Sequence, residues 1–189
     1  GNDFVMIDNR TGSFDFSDKN LIANMCHRRF GIGADGIIEV TSHRNYDFEM
    51  KYFNADGSGP VMCGNGARAA VLFAKNRGFF TQDEIMFLAP DGEHYGDVSQ
   101  ALISLTITEP EGIKQLPEKE AVYFINTGTN HVVIPQKNLG SIKIEKVAPY
   151  YRFKYNTNVN YIEQTAGNLW QIRTYERGVE AETWACGTG

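Results

Sequence analysis

The sequence predicts an α+β protein built from two similar halves. Three observations predict it: many short apolar or alternating segments bounded by Gly and Asn, few segments with helical periodicity, and a motif that occurs twice. The core of "MCGNGAR" (62–68) nearly recurs in "ACGTG" (185–189). Each copy follows a predicted strand, which is typical of an internal repeat. We expect one half over residues 1–100 and the other over residues 101–189.

The first elements follow from hydrophobic periodicity and from residues that typically begin or end helices and strands. The apolar segment "FVMID" (4–8) predicts a strand. A helix is predicted after it, with Ser17 or Asp18 as its N-cap and Gly31 as its stop. The segment "YDFEMKYFNADG" (46–57) alternates apolar and charged residues, so it predicts a half-buried strand that ends in a turn.

A second helix is predicted over 65–76, directly after the first cysteine motif. It has no polar face until Lys75, so we expect it to be buried nearly all round and to be closed by Gly78. The other plausible helix lies around 144–151. Further strands are predicted at "EIMFLA" (84–89), "ALISLTI" (101–107), "VYFINT" (122–127), "HVVIP" (131–135), "VNYIEQ" (159–164) and "LWQIRTYE" (169–176).

Composition excludes several classes of function. The 189 residues are 42% hydrophobic and 22% charged, enough for one sizeable core or two small ones. A net charge of −5 with scattered basic residues gives no attraction to nucleic acid or to an anionic membrane. No apolar run approaches the about 18 residues that span a bilayer, and no signal segment opens the sequence, so we expect a cytoplasmic protein.

The two ends of the sequence suggest that it is part of a longer polypeptide. It begins with "GNDF" directly before a predicted strand and stops at "CGTG", where a helix would be expected to begin.

The three cysteines are expected to be reduced thiols. They cannot all pair, and their wide spacing lacks the C-x2-C pattern of a structural zinc site. Cys26 shares one helical face with apolar neighbours, which predicts core packing. Cys63 and Cys186 lie in the repeated motif instead.

The glycines of the motif predict an anion site. Their freedom of backbone conformation suits a tight turn into a helix, whose first N–H groups then point outward. The four glycines are Gly64, Gly66, Gly187 and Gly189. A cysteine at the same helix end lies at the positive end of the dipole, which lowers a thiol pKa from about 8.5 to about 3.5–7.5.

Two such motifs would hold one carboxylate, with a sulfur atom on each side of the adjacent carbon. This arrangement suits racemisation at an α-carbon, in which one thiolate removes a proton and the opposite thiol delivers one. The reaction needs two acid/base groups, and we expect no metal and no cofactor.

Three other interpretations remain open at this point. A single C-G-x-G often indicates only close packing around a buried cysteine. One cysteine with His131 as its base would suit nucleophilic catalysis, but the second cysteine would be unexplained. A metal site made of Cys63, His131 and Cys186 would lack any local ligand spacing.

The sequence resembles the diaminopimelate epimerase family along its whole length. The motifs that carry the resemblance are "GNDF" (1–4), "FGIGADG" (30–36), "YFNADGS" (52–58), "MCGNGAR" (62–68), "NTNVNY" (156–161), "RTYERG" (173–178) and "ETWACGTG" (182–189). The resemblance implies two α/β domains, each with a curved mixed sheet wrapped around a central helix, and an active site in the cleft between them. It implies a small amino-acid substrate, diaminopimelate, and leaves a homodimer open.

The resemblance also implies the roles of individual residues. Cys63 and Cys186 would be the catalytic acid/base pair, assisted by His131 and Glu176. The carboxylate at the reacting centre would be bound by Gly64, Asn65, Gly187 and Thr188. The far end of the substrate would be bound by Asn2, Asn54, Asn158, Glu176 and Arg177. Taken one by one, each Asn is equally typical of a turn, and Arg177 would also suit a surface ion pair with Glu176.

The chain departs from the family pattern at three places. Thr129 stands where the family commonly has a substrate-binding Asn, and Ala69 stands where it usually has a further cysteine. Glu180 or Ala181 is expected in a bulged loop, because this segment is one residue longer than usual.

The resemblance predicts an isomerase that interconverts LL- and meso-diaminopimelate for lysine and cell-wall synthesis. Alternatives are a racemase of histidine or proline type on the same scaffold, an isomerase of phenazine type, and an inactive relative that only binds an amino acid or a partner protein. The two cysteines argue against the last two, because neither needs this pair of thiols.

Overall fold

Each half of the chain forms its own six-stranded mixed sheet, in a computed structural model that describes residues 1–184 and 186–188. The two units are Asn2–Ile107 and Thr108–Gly189, and Gly1 groups with the second. The described residues include three α-helices. The predicted α+β class is confirmed.

The first unit contains strands β1 to β6 and helices α1 and α2, and the strands are hydrogen-bonded in chain order. The strands are β1 (Phe4–Asp8), β2 (Gly36–Thr41), β3 (Phe48–Asn54), β4 (Glu84–Ala89), β5 (Gly92–Asp97) and β6 (Ser104–Leu105), and the helices are α1 (Lys19–Cys26) and α2 (Gly64–Asn76). The pairs β1–β2 and β3–β4 are parallel, whereas the other neighbours are antiparallel.

Both faces of this sheet are covered, one by α2 and the other by α1. Consecutive strand residues point to opposite faces, so neighbours on one strand belong to different cores. Ile38 on β2 belongs to the core formed with α2, whereas Ile37 belongs to a smaller core that contains Ile22 and Cys26 of α1. Cys26 is 3% exposed, so its predicted packing role is confirmed. A strand buried on both faces reads as a continuous apolar run, and for that reason alternation did not predict β2.

The helices of the first unit differ from prediction in two respects. Asp18 is the N-cap of α1, and its side chain accepts the N–H of Leu21 at 3.0 Å. The helix ends at Cys26, earlier than the predicted stop, because His27 is extended. The expectation that α2 is buried nearly all round is wrong: Leu72 is 52% exposed, since the sheet packs against one side of the helix.

The second unit contains strands β7 to β12 and helix α3, and its strands are also hydrogen-bonded in chain order. The strands are β7 (Glu111–Gln115), β8 (Tyr123–Asn126), β9 (Asn130–Pro135), β10 (Asn158–Ala166), β11 (Leu169–Glu176) and β12 (Ala181–Thr183), and the helix is α3 (Ile144–Tyr155). The pair β9–β10 is parallel, and the other neighbours are antiparallel.

Strand pairing in the second unit places the candidate site residues side by side. His131 on β9 lies opposite Asn158 on β10, and Asn160 lies opposite Thr174 on β11. The turn from β11 to β12 contains Glu180 with a φ of 57°, in the segment where a bulged loop was expected. Strand β12 then leads toward the second cysteine motif.

No helix within the described residues has both the length and the apolar character needed to cross a membrane.

Candidate active site

Cys63 is the N-cap of α2, a position that Ser, Thr, Asp or Asn usually occupies. Its backbone is extended, its carbonyl accepts the N–H of Ala67 at 2.8 Å, and its Sγ accepts the N–H of Gly66 at 3.4 Å. The sulfur therefore lies at the positive end of the helix dipole, as the sequence predicted for this motif. This environment favours a thiolate.

Gly66 allows the sulfur and the strand behind the helix to approach closely. A Cβ atom at this position would lie 3.0 Å from Cδ1 of Ile38 and 3.5 Å from Sγ of Cys63. Gly64 and Gly66 are both buried in the first turn of α2. Their place at the start of a helix agrees with the predicted geometry, and the binding of a carboxylate by Gly64 and Asn65 stays a prediction.

Two predicted substrate-binding residues of the first unit lie next to each other. The Nδ2 of Asn65 donates to Oδ1 of Asn2 at 2.8 Å, and Nδ2 of Asn2 donates to Oδ2 of Asp35 at 3.0 Å. Asp35 is in turn paired with Arg28 at 2.6 Å. The sequence quoted Asp35 within "FGIGADG" but did not assign it this supporting role.

Asn54, in contrast, closes a turn at the end of β3. It is 7% exposed, and its Nδ2 donates to Oγ of Ser58 at 2.9 Å. Its backbone N–H also donates to the Ser58 carbonyl oxygen, at 2.8 Å. These contacts agree with the turn interpretation, and its role toward a substrate stays a prediction.

The second motif is held by threonine side chains. Gly187 and Thr188 form a turn, and the carbonyl oxygen of Thr188 accepts the Oγ1–H of Thr127 at 2.6 Å. The Oγ1 of Thr188 lies 3.8 Å from Sγ of Cys186. Gly189, which was predicted to begin a helix with Gly187, lies outside the described residues.

Cys186 holds its proton more tightly than the sequence predicted. Burial raises the pKa of its thiol to about 11, and the nearby carboxylate of Glu176 acts in the same direction. Hydrogen bonds from the backbone and side chain of Thr188 oppose this rise. The expected low pKa is therefore wrong for this cysteine, because desolvation and a negative neighbour outweigh the donors present in the described residues.

His131 connects the second motif to the sheet. It is 1% exposed, and its Nε2 lies 2.9 Å from Oγ1 of Thr129 and 3.1 Å from Oγ1 of Thr188. Its Nδ1 accepts the Nδ2–H of Asn160 at 2.9 Å. Burial lowers the pKa of His131 to about 4, and the positive charge of Arg177 contributes, so the ring is neutral at physiological pH.

Arg177 is a half-buried cation, and Asn158 holds its backbone. The Oδ1 of Asn158 accepts the N–H of Arg177 at 2.9 Å, while its Nδ2 donates to the Asn130 carbonyl oxygen at 3.2 Å. Burial lowers the pKa of Arg177, and the positive charge of Arg152 adds to this effect. The Nη1 of Arg177 donates to the Asn156 carbonyl oxygen at 3.5 Å, and an ion pair with Glu176 stays a prediction.

Three polar residues of this network were missed by the sequence analysis: Thr127, Asn160 and Thr174. The segment "NTNVNY" contained the signal, because Asn158 and Asn160 are two apart and therefore point to the same face of β10. In the part of the chain that the structure describes, no three His, Cys, Asp or Glu side chains are placed to hold a metal ion. Among the described residues, none of the three cysteines forms a disulfide.

Comparison with solved structures identifies the class of fold. The chain is similar to a phenazine biosynthesis protein of the PhzF family from Bacillus anthracis, with a TM-score of 0.72, 17% identity, and coverage of 100% of this chain and 71% of that one. It is also similar to a hydroxyproline epimerase from Agrobacterium vitis, with a TM-score of 0.60, 10% identity, and coverage of 81% and 58%. At these identities the likeness establishes the fold alone.

Sequence comparison identifies the family. A sequence model of diaminopimelate epimerase matches residues 1–101. The chain is 39% identical to the diaminopimelate epimerase of Flavobacterium psychrophilum and 38% identical to that of Chlorobaculum tepidum. Both matches cover all of this chain, and 75% and 77% of those relatives. The chain belongs to the diaminopimelate epimerase family.

Proposed function

We propose that this protein is an isomerase that interconverts LL- and meso-diaminopimelate, a step in the synthesis of lysine and of cell-wall precursors. Membership of the family supports the reaction and the substrate. The observation that carries the proposal is the pair of cysteines in one repeated motif, one at a helix N-terminus and the other beside Glu176.

The reaction exchanges one proton for another at the α-carbon. A thiolate takes the α-proton, and the electron pair of the broken C–H bond stays on the substrate, delocalised into the adjacent carboxylate. The second thiol then delivers its proton to the opposite face and becomes the thiolate. Each turnover leaves one thiolate and one thiol, so no oxidant, reductant or other reactant is consumed.

We assign the resting base to Cys63 and the resting acid to Cys186. The N–H of Gly66 and the positive end of α2 stabilise negative charge on the Cys63 sulfur. Burial and the carboxylate of Glu176 keep the proton on Cys186. The structure thus supports a division of labour that the sequence alone left open.

Backbone donors next to each sulfur would bind the carboxylate at the reacting carbon. We assign this role to Gly64 and Asn65 in the first unit, and to Gly187 and Thr188 in the second. The start of α2 offers N–H groups with a favourable dipole. These donors would also stabilise the charge that spreads into the carboxylate when the α-proton leaves.

Arg177 is the candidate for binding the distal carboxylate of the substrate. A guanidinium binds a carboxylate through two parallel hydrogen bonds, and this one is half-buried. Asn2, Asn54, Asn158 and Glu176 are proposed to complete the distal site. Asn158 contributes at least indirectly, because it holds the backbone N–H of Arg177.

His131 is proposed to support Cys186 as a neutral hydrogen-bond donor. The hydroxyl of Thr188 lies between the ring and the sulfur, at 3.1 Å from Nε2 and 3.8 Å from Sγ. A neutral ring with a proton on Nε2 cannot accept a second proton there. This argues against the alternative in which His131 is the general base of a nucleophilic cysteine.

Turnover in deuterated water tests the proposal. LL-diaminopimelate should give meso product that carries solvent deuterium at the inverted carbon, while recovered LL-diaminopimelate stays largely unlabelled early in the reaction. Rapid early labelling of the recovered substrate would indicate a single base. The matched control is C26A, which removes a core thiol of the first unit and should give the same labelling as the unaltered protein.

A panel of substrates separates the alternatives. The proposal predicts activity with diaminopimelate and little with histidine, proline or hydroxyproline, which lack a second amino-acid group for Arg177. The hydroxyl of Thr129, which stands where the family commonly has a substrate-binding Asn, is hydrogen-bonded to His131. Racemisation of proline or histidine in preference to diaminopimelate would overturn the assignment, and so would binding without turnover.

A further inference from the structure

Asn160 stands in the motif "NTNVNY" (156–161), but neither the family resemblance nor the proposed reaction assigns it a role. Its side chain is 2% exposed and fully hydrogen-bonded. The Oδ1 accepts the hydroxyl proton of Thr174 at 2.8 Å. The Nδ2 donates to the Val132 carbonyl oxygen at 3.3 Å and to Nδ1 of His131 at 2.9 Å.

These contacts fix the proton of His131. A carbonyl oxygen can only accept, so the amide edge that faces Val132 must be the NH₂ group. The same group faces Nδ1 of His131, and Nδ1 must therefore be an unprotonated acceptor. The proton of the neutral ring then resides on Nε2.

The remaining hydrogen bonds continue in one direction. The Nε2–H faces two hydroxyl groups, with Oγ1 of Thr129 at 2.9 Å and Oγ1 of Thr188 at 3.1 Å, and these two oxygens lie 3.0 Å apart. The hydroxyl of Thr188 lies 3.8 Å from Sγ of Cys186. A ring that donates from Nε2 cannot accept a proton from either hydroxyl, so the hydroxyl of Thr188 is left to donate toward the sulfur.

We propose that Asn160 is a positioning residue that sets the direction of this hydrogen-bond chain, so that a hydroxyl proton always points at Sγ of Cys186. The proposal rests on the proposed function, in which Cys186 becomes a thiolate once in each reaction cycle. In that state the sulfur gains a charge-assisted hydrogen bond that a reversed chain would not provide.

Two charged groups act on the same chain. The carboxylate of Glu176 opposes a thiolate at Cys186, and the chain supplies a donor that partly offsets it. Burial and the guanidinium of Arg177 both oppose a positive charge on His131, which keeps the ring neutral. The device thus stabilises the transient thiolate, and it makes the pKa of Cys186 lower than burial and Glu176 alone would make it.

Reversal of the chain is the sharpest perturbation. In N160D the carboxylate only accepts, so the His131 proton moves to Nδ1 and Nε2 becomes the acceptor. The hydroxyl protons then point away from Cys186. We expect the alkylation rate of Cys186 at about pH 9 to fall about tenfold, the change that corresponds to one pKa unit. Cys63, mapped in the same digest, should not change.

A charge-neutral variant separates direction from charge. N160L removes the donor to Nδ1 without adding a negative charge, so the His131 proton is no longer fixed. We expect Cys186 to be alkylated more slowly in this variant too, by about threefold. If N160D slows the reaction and N160L leaves it unchanged, the effect is one of charge and the proposal is wrong.

The matched control is T174V. It removes the hydroxyl bonded to Oδ1 of Asn160 but leaves the Val132 carbonyl and His131 as they are. Like the Asn160 variants, it loses a buried hydrogen bond and should lower the stability of the protein. Its Cys186 alkylation rate, however, should equal that of the unaltered protein. A loss as large as that in N160D would show that Asn160 matters only for packing.

Nitrogen NMR of the unaltered protein tests the proton position directly. The proposal predicts a protonated Nε2 and an unprotonated Nδ1 for His131, and the reverse in N160D. A protonated Nδ1 in the unaltered protein would overturn it even if no variant folds. Neither readout requires turnover, so a protein that failed to epimerise diaminopimelate could still confirm or contradict the role of Asn160.

Discussion

Cys63 and Cys186 lie in nearly the same short sequence, yet their sulfur atoms have different surroundings. The sulfur of Cys63 caps a helix and accepts a backbone N–H. The thiol of Cys186 is half-buried beside a carboxylate, and its pKa is raised to about 11. A repeated motif thus supplies the same functional group twice, while the local environment of each copy is different.

The largest predicted effect is the loss of either thiol. C63A and C186A should each lower epimerisation by at least about 1000-fold, because inversion needs a donor and an acceptor together. Both rates are measured as formation of meso product from LL-diaminopimelate. C26A should retain full turnover with a stability cost of about 2 kcal/mol. Near-normal turnover in C63A or C186A would contradict the two-thiol account.

The buried, neutral ring of His131 should make the stability of the second unit depend on pH. Its pKa is about 4 in the folded protein, below the value of about 6.5 in the unfolded chain. The unfolded chain therefore binds the proton first, and stability is lost as the pH falls from about 6.5 to about 4, by about 3 kcal/mol. Urea unfolding of the unaltered protein and H131Q checks this. If the free energy of unfolding fell equally in both proteins between about pH 6.5 and about pH 4, the buried neutral ring would be contradicted.

Arg177 predicts an effect on substrate affinity. R177K keeps the positive charge but loses the two-pronged geometry, so KM for diaminopimelate should rise by about tenfold or more. R29K changes an exposed arginine in the same way and should leave KM unaltered. A fall in kcat with unchanged KM would place Arg177 outside the substrate-binding site.

Glu176 predicts a smaller effect that sharpens the comparison of the two cysteines. E176Q removes the negative charge that opposes ionisation of Cys186, so its pKa should fall toward the ordinary value. Alkylation of Cys186 at about pH 9 should then become about tenfold faster, while Cys63 stays the same. The exposed residue Glu120 provides the control E120Q. An unchanged Cys186 would mean that burial alone holds its proton.

Local patterns predicted much of the fold. The strands at 4–8 and 84–89 and the helix that follows Cys63 appear where expected, because alternation and helical periodicity are local properties. Strand β7 was missed because it is exposed along its length, and β5 because Gly and charged residues dominate it. The strand predicted at 101–107 shortens to Ser104–Leu105, at the edge of its sheet.

The site was predicted less completely than the fold. The sequence singled out both cysteines and His131 as candidates, because the motif repeats and the family resemblance is specific, and their roles stay predictions. The chain from Asn160 to Cys186 depends on the pairing of β9 with β10, which brings together residues far apart in sequence. Likewise, the high pKa of Cys186 follows from burial and from Glu176, and no sequence window contains that burial.

The most direct test of the asymmetry between the two cysteines is the order of their alkylation in the unaltered protein. A limiting amount of iodoacetamide at neutral pH, followed by peptide mapping, reports all three thiols in one sample. The account predicts that Cys63 is modified first, because its sulfur is stabilised as a thiolate, and that Cys186 and Cys26 follow far more slowly. Modification of Cys186 before Cys63, or of both at equal rates, would contradict it.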